Sequence, residues 1–409
     1  MIDPAQHSAL GFHGDGAPTS KTQSLFTISF SGVHGIGNTR QSRMIFTVVD
    51  KRNQCEGTLN ALFKYFAYAM NGLLLGYVDT DWQGKALDKR RHLKLQGHKC
   101  ALVYARGDWE YYSLPEVFAF QRWDGQEMCY KCGATNHGLR MWTGEGWRGT
   151  ERCHASYVGE LAVKGLPLPV LFTIISLCHE GVLPDVLHTV DQGVACHLCA
   201  NVFIEVMDIG HWGSNQQQQL EGLQNDMDAW YTALREQKLQ GKLTFSRIRT
   251  SGDWPKLKAK AAQTRHLVRY ALYLCLLHDD GSKHSRRRKK VCEHLVRFYT
   301  IIGDAPRFMP QKCKEELKSL GQEFFTLYKR LSEEALHAGK RAWKMVPKFH
   351  NFLHICEISC MIENPSFHWT YADEDLQQIV KKIALTCHAS HVEWLTLVKW
   401  LIDTYNVFP

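Results

Sequence analysis

The chain of 409 residues lacks any apolar run of the roughly 18–20 residues that span a bilayer. Its most apolar stretch, Leu62 to Val78, is interrupted by Lys64, Asn71, Gly72 and Gly76 and reads as a buried helix. The opening MIDPAQHSALGFHGDG lacks the charged start and apolar core of a signal peptide, so a nuclear location is expected, with the cytoplasm as the alternative. There is no P-loop, no dinucleotide fingerprint and no nucleophilic Ser or Cys motif, which argues against those enzyme classes. No internal repeat and no long disordered linker interrupts the chain.

What is present suits a folded protein with two or three cores, or one core carrying a large insertion. Hydrophobic residues make up 44% and charged residues 22%. The net charge of +8 is mildly basic and compatible with a nucleic-acid partner without singling one out. The 14 cysteines, scattered through a large chain, are expected to be reduced, and the 21 histidines raise the odds of a metal site. Lys283 and the run Arg286, Arg287, Arg288, Lys289, Lys290 follow Asp279-Asp280-Gly281. This block reads either as a solvated loop or as a phosphate-binding patch or localisation signal.

Three early segments read as strands: Ala9 to His13, ending at the turn signal Gly14-Asp15-Gly16-Ala17-Pro18, then Ser24 to Phe30 and Arg43 to Val49. Their short connections suggest an antiparallel meander. A helix over about 58–75 and a fourth apolar strand, Cys100 to Tyr104, come next. The stretch 123–154 is rich in Trp, Gly and Cys and reads as a loop insertion without its own core. Helical patterns dominate 215–345, and two more helices are expected near 373–386 and 390–404.

Three acids fall where one chemistry would need them. Asp15 ends the first strand, Asp108 follows the fourth, and Glu374 opens a late helix. The order strand-strand-strand-helix-strand places the first and fourth strands side by side in an RNase H-like sheet, which would bring Asp15 and Asp108 face to face. Three such carboxylates can hold two divalent cations about 4 Å apart for phosphodiester chemistry, and their oxygens suit Mg²⁺ or Mn²⁺. Taken singly, each acid is as readily a turn or helix-cap residue. Asp373, Asp375 and Glu393 compete for the third place.

Gly14-Asp15-Gly16-Ala17, Gly107-Asp108-Trp109, the downstream Cys-x-x-Cys and Pro184-Asp185-Val186-Leu187-His188 together resemble eukaryotic cut-and-paste DNA transposases of the CACTA-type group and, more distantly, the hAT group. The resemblance runs from about 10 to 400 and rests on the order of short motifs. It implies an α/β, RNase H-like mixed sheet with a large, mostly helical insertion. Asp15, Asp108 and Glu374 would be its catalytic, metal-binding triad. Asp185 and His188 match the family's Cys/Asp-x-x-His motif and, with Arg286, Arg287 and Arg288, would contact DNA or support the acids. The implied partners are DNA (transposon ends and target) and further copies of the chain in a homo-oligomer, with no membrane. The expected division is 1–122 and 346–409 for the core, 123–160 for the Cys/His-rich loop and 161–345 for the helical insertion. Such transposases usually carry an N-terminal DNA-binding domain, whereas the first strand here begins within ten residues of the start. A fragment, a decayed copy or a domesticated, non-catalytic binding module is therefore the alternative.

Cys129-x2-Cys132-x4-His137 opens like a zinc knuckle, but Trp142 stands where the knuckle needs a cysteine. Cys153 or His154 could complete the four ligands that structural Zn²⁺ requires; otherwise the cysteines are ordinary loop thiols. If this cluster alone is functional, the chain is an unrelated helical zinc protein. Asp185 and His188 would share one face of a helix or serve as a cap and a buried histidine, and Asp191 belongs with them. Cys196, His197 and Cys199 look like a zinc motif but lie in an apolar helix and read as core. His350 and His354 either line the acidic cleft or pack a helix.

Overall fold

The first strand, β1 (His7–Pro18), pairs antiparallel with β2 (Ser24–Gly32), which pairs antiparallel with β3 (Arg43–Asp50). These come from a computed structural model that describes residues 7–18, 24–35, 37–235, 239–249 and 254–405. The first six residues, part of the opening read above for a signal peptide, lie outside that set, as do Glu236 and Gln237 of the helical text. The meander is as expected, but β1 does not stop at His13. Asp15 pairs with Thr27 and Gly16 with Phe26, so the glycines that read as a turn continue the strand. A full ladder of partner hydrogen bonds on β2 outweighs their local turn preference.

The short helix α1 (Thr39–Ser42) is capped by Asn38 and leads into β3. The helix α2 (Thr58–Leu75) buries Phe63, Phe66, Ala67 and Met70 at helical spacing and ends at Gly76, whose φ of +81° glycine adopts without strain. A separate ribbon follows, β4 (Tyr77–Thr80) and β5 (Ala86–His92), and then β6 (Lys99–Arg106). β6 runs parallel to β1, giving a mixed sheet of order β3-β2-β1-β6. The first strand and the strand after the helix and ribbon are thus neighbours.

Alternation along the strands gives the sheet two working faces. Leu10, Phe12, Phe26 and Ile28 pack with Phe63, Phe66 and Met70 of α2. On the other face Leu25 and Val48 meet Leu376, Val380 and Ile383 of α13 (Tyr371–Ala384) and Val392 and Trp400 of α14 (Val392–Tyr405). Each such side chain contributes about 1.5–3 kcal/mol by leaving water.

The loop 123–152 does have a core. Tyr130 stacks on Phe120 with centroids 4.7 Å apart, Tyr130 and Trp147 are fully buried, and Tyr157 of α4 (His154–Val163) closes on Phe120 and Phe172. The expectation of a coreless insertion fails because these aromatics have no helical or strand period to reveal their burial.

The chain divides into two compact units, Met1–Leu183 with Thr370–Pro409, and Pro184–Trp369. The short helix α3 (Trp109–Tyr112) belongs to the first. The second is helical. A π-helical segment, Leu187–Val194, runs into α5 (Ala195–Asp208), whose residues from Ala195 to Ile204 are all buried. Around it lie α6 (Gln216–Leu234), α7 (Phe245–Ile248), α8 (Ala261–Leu277), α9 (Lys283–Asp304) and α10 (Gln311–His337). α11 (Lys348–His354), a second π-helical segment (Ile355–Ser359) and α12 (Cys360–Ile362) complete the unit. Among the described residues no helix is long and apolar enough to cross a membrane.

Candidate metal-binding groups

The parallel register of β1 and β6 pairs His13 with Arg106. Asp15 and Asp108 each follow two residues later, Asp15 still within β1 and Asp108 just past the end of β6. Asp15 is half-buried and accepts from the Gly16 N–H at 2.6 Å. Asp108 is the N-cap of α3, its Oδ1 accepting from the Tyr111 N–H at 2.6 Å. Both the catalytic and the capping readings of Asp108 are compatible with that geometry.

Tyr111 packs beneath this corner. A Cβ on Gly14 would overlap its hydroxyl, and one on Gly107 would lie 2.8 Å from its ring. Burial, with Tyr112, Asp15 and Asp108 as further negative neighbours, pushes the Tyr111 hydroxyl well above the ordinary phenol range. Both carboxylates therefore act on one phenol.

Glu374 lies half-buried in the first turn of α13, which packs on the β1 side of the sheet. Of its competitors, Asp373 is fully buried and paired with Arg43 (2.7 Å) and Arg106 (3.3 Å). Burial alone would raise its pKa, but Arg106, His13 and Arg43 together outweigh that and hold the carboxyl below its usual range. Glu393 opens α14 and accepts the Asp50 N–H at 2.6 Å, and Asp375 is exposed. Asp373 and Glu393 thus have structural tasks that their sequence neighbourhood did not disclose.

A second group is of a different kind. In the buried loop the Cys129 sulfur accepts from the Lys131 N–H at 3.3 Å. The Arg152 guanidinium donates to the carbonyls of Cys129 (2.6 Å) and Cys132, holding the Cys-x-x-Cys turn from behind. Contact with Cys129 first, and burial second, pushes the Cys132 thiol far up. Lys131 is buried too, and desolvation lowers it to about 7, while its Nζ donates to the His179 carbonyl at 2.8 Å. On α11, His350 and His354 stand four residues apart, so one helix face carries both. Their Nε2 atoms are 3.0 Å apart.

The ligand atoms of Cys129, Cys132, His350 and His354 all lie within 4.8 Å of one another, and all four residues are buried. This Cys2His2 group has the donor set and count of a closed structural zinc site and could bind such a metal. The expected completion by His137 and Cys153 is incorrect. Both are exposed, and Cys153 instead caps α4, its sulfur accepting from the Ser156 N–H at 3.4 Å. The His-x3-His spacing was the available signal, obscured by the more than 200 residues that separate it from the cysteines.

Asp185 and His188 do come together. Asp185 Oδ2 accepts from the His188 N–H (2.7 Å) and lies 2.8 Å from His188 Nδ1, at the head of the π-helical segment. Asp191, fully buried, accepts from Tyr299 (2.5 Å) and Arg265 (3.0 Å). Cys196 and Cys199 are core thiols, and His197 Nδ1 faces the Pro255 carbonyl.

The basic block is neither a loop nor an open patch. It forms the first turns of α9, capped by Ser282. Arg288 is buried and reaches Glu205 (3.3 Å) and the His278 carbonyl, Arg287 pairs with Glu334, Lys289 with Asp279 and Lys290 with Glu293. Arg286 is the exposed arginine of the three. The helical turn distributes adjacent cations over several faces, where Glu205 and Glu334 of other helices, Glu293 of α9 itself and Asp279 ahead of it meet them. No protein-family model matches the chain, and no curated protein matches it.

Proposed function

We propose that the first unit is an RNase H-like core performing metal-dependent phosphodiester cleavage and strand transfer, as in cut-and-paste transposases. The carrying observation is the parallel pairing of β1 with β6, with Asp15 and Asp108 each two residues beyond the His13–Arg106 pair. Glu374 on α13 is the third acid of this reading. Carboxylates there would hold Mg²⁺ or Mn²⁺, which when bound activate a water or 3′-hydroxyl and neutralise charge on the leaving oxygen. Tyr111 and the side-chain-free Gly14 and Gly107 support the corner. The reading brings with it DNA as substrate and a nuclear location.

The Cys2His2 group has a separate task. Four buried soft and borderline ligands leave no open position, so zinc held there is structural. A non-catalytic nucleic-acid or protein-binding descendant is the second reading, favoured by the use of Asp108 as an ordinary helix cap. Nicking of supercoiled plasmid with Mg²⁺ or Mn²⁺ separates the two. Cleavage that disappears in Asp15→Asn and Asp108→Asn supports the enzyme; absent cleavage by the folded wild-type chain supports the binding module.

A further inference from the structure

The β4–β5 ribbon carries a charge pattern unlike that of α9. From 85 to 99 the chain reads KALDKRRHLKLQGHK, six basic residues against one acid. Lys85, Lys89, Arg90, Arg91 and Lys94 are all exposed. Among the described residues none of them forms an ion pair, and Arg90 instead lies over the Tyr77 ring at 3.9 Å. The nearby Asp81 is occupied within the turn, accepting from the N–H groups of Gln83 (3.0 Å) and Lys85 (2.9 Å).

Geometry selects the partner. Side chains alternate along a strand, so Lys89 and Arg91 project from one face of the ribbon and Arg90 from the other. Lys85 sits at the turn. The cations therefore surround the ribbon rather than forming a plane. A bilayer surface would meet one face only. The major groove of duplex DNA, about 12 Å wide, admits a two-stranded ribbon and offers phosphates on both walls. Exposed Trp82 in the turn packs edge-on to Tyr65 with centroids 6.2 Å apart, which anchors the tip to α2 and fixes its direction.

We infer that this ribbon is a docking element for the phosphate backbone of duplex DNA. The inference rests on the proposed function for its partner but not on the carboxylates, because binding is measurable without added Mg²⁺ or Mn²⁺, where cleavage cannot occur and zinc stays in place. The test is fluorescence anisotropy of a labelled mixed-sequence duplex with the full chain, between 50 and 200 mM salt, for wild type and the triple variant Lys89→Ser, Arg91→Ser, Lys94→Ser. Each phosphate contact contributes about 0.9 to the slope of log affinity against log salt. The variant is expected to lose about two to three from that slope and roughly tenfold or more in affinity at 100 mM salt. Its thermal unfolding should match wild type, since these residues are exposed. An unchanged slope and affinity would overturn the assignment, as would a variant that loses binding to phosphatidylserine vesicles while binding DNA like wild type. Persistence of ribbon-dependent binding in Asp15→Asn would show that docking survives even where the cleavage reading fails.

Discussion

The Cys2His2 group and the acidic group we propose on the sheet differ in every physical respect. Asp15 and Asp108 are hard oxygen donors, half-buried, each two residues beyond the paired His13 and Arg106. Cys129, Cys132, His350 and His354 are softer sulfur and nitrogen donors, fully buried. Hard donors with water access suit a cation that exchanges ligands during a reaction, and a closed soft set suits one that never leaves. Having ligand residues is therefore not the same as having a reactive site, and the two groups should respond to perturbation in opposite ways.

The largest effect should come from the soft group. Cys132→Ser or His354→Asn is expected to abolish stoichiometric zinc and cost roughly 4 kcal/mol or more in stability, read by metal analysis and denaturant unfolding. Full zinc content in His354→Asn would remove the histidines from the site. The hard group should behave the other way round. Asp15→Asn and Asp108→Asn are expected to lower plasmid cleavage at least about a hundredfold, roughly 3 kcal/mol in barrier, while folding and zinc content stay intact. Cleavage at wild-type rate in both variants would end the distinction.

Smaller effects refine the picture of charge. Arg288→Ala should destabilise by about 3 kcal/mol, because it leaves the largely buried Glu205 short of a partner. Arg286→Ala should stay within about 0.5 kcal/mol, and comparable losses in chemical denaturation would contradict the burial difference. The last concerns Asp373, whose folded-state pKa is depressed. Its contribution is complete above the unfolded value of about 3.9 and is lost as pH falls through the lower folded value. Stability of the wild type should therefore fall below about pH 4, and that part of the acid limb should be missing in Asp373→Asn.

Some of this was legible in the residues. The meander and the helix over 58–75 follow from local periodicity and short connections, and the adjacency of the first and fourth strands from the RNase H-like order read into them. Asp15 was legible as a candidate but not as a residue inside the strand, because Gly14 and Gly16 signal a turn until β2 supplies partners. The ribbon was not legible. With both faces in water, ALDKRRH has no hydrophobic alternation to mark it as a strand. The block after Lys283 was misread for the converse reason: Glu205, Glu334 and Asp279, which neutralise it, lie on other elements or beyond the helix cap. Cys129 and Cys132 announced half of a group that could bind a metal, and only folding identified the other half.

Iron-directed cleavage tests the central claim most directly. Fe²⁺ loaded in place of Mg²⁺, with ascorbate and peroxide, generates hydroxyl radicals that cut the backbone beside the bound ion, and the fragments are read by mass spectrometry. Cuts close to Asp15 and Asp108 that vanish on adding excess Mg²⁺ are the predicted result. Cuts confined to the neighbourhood of the cysteines and histidines, with none at either aspartate, would contradict a cation site on the sheet.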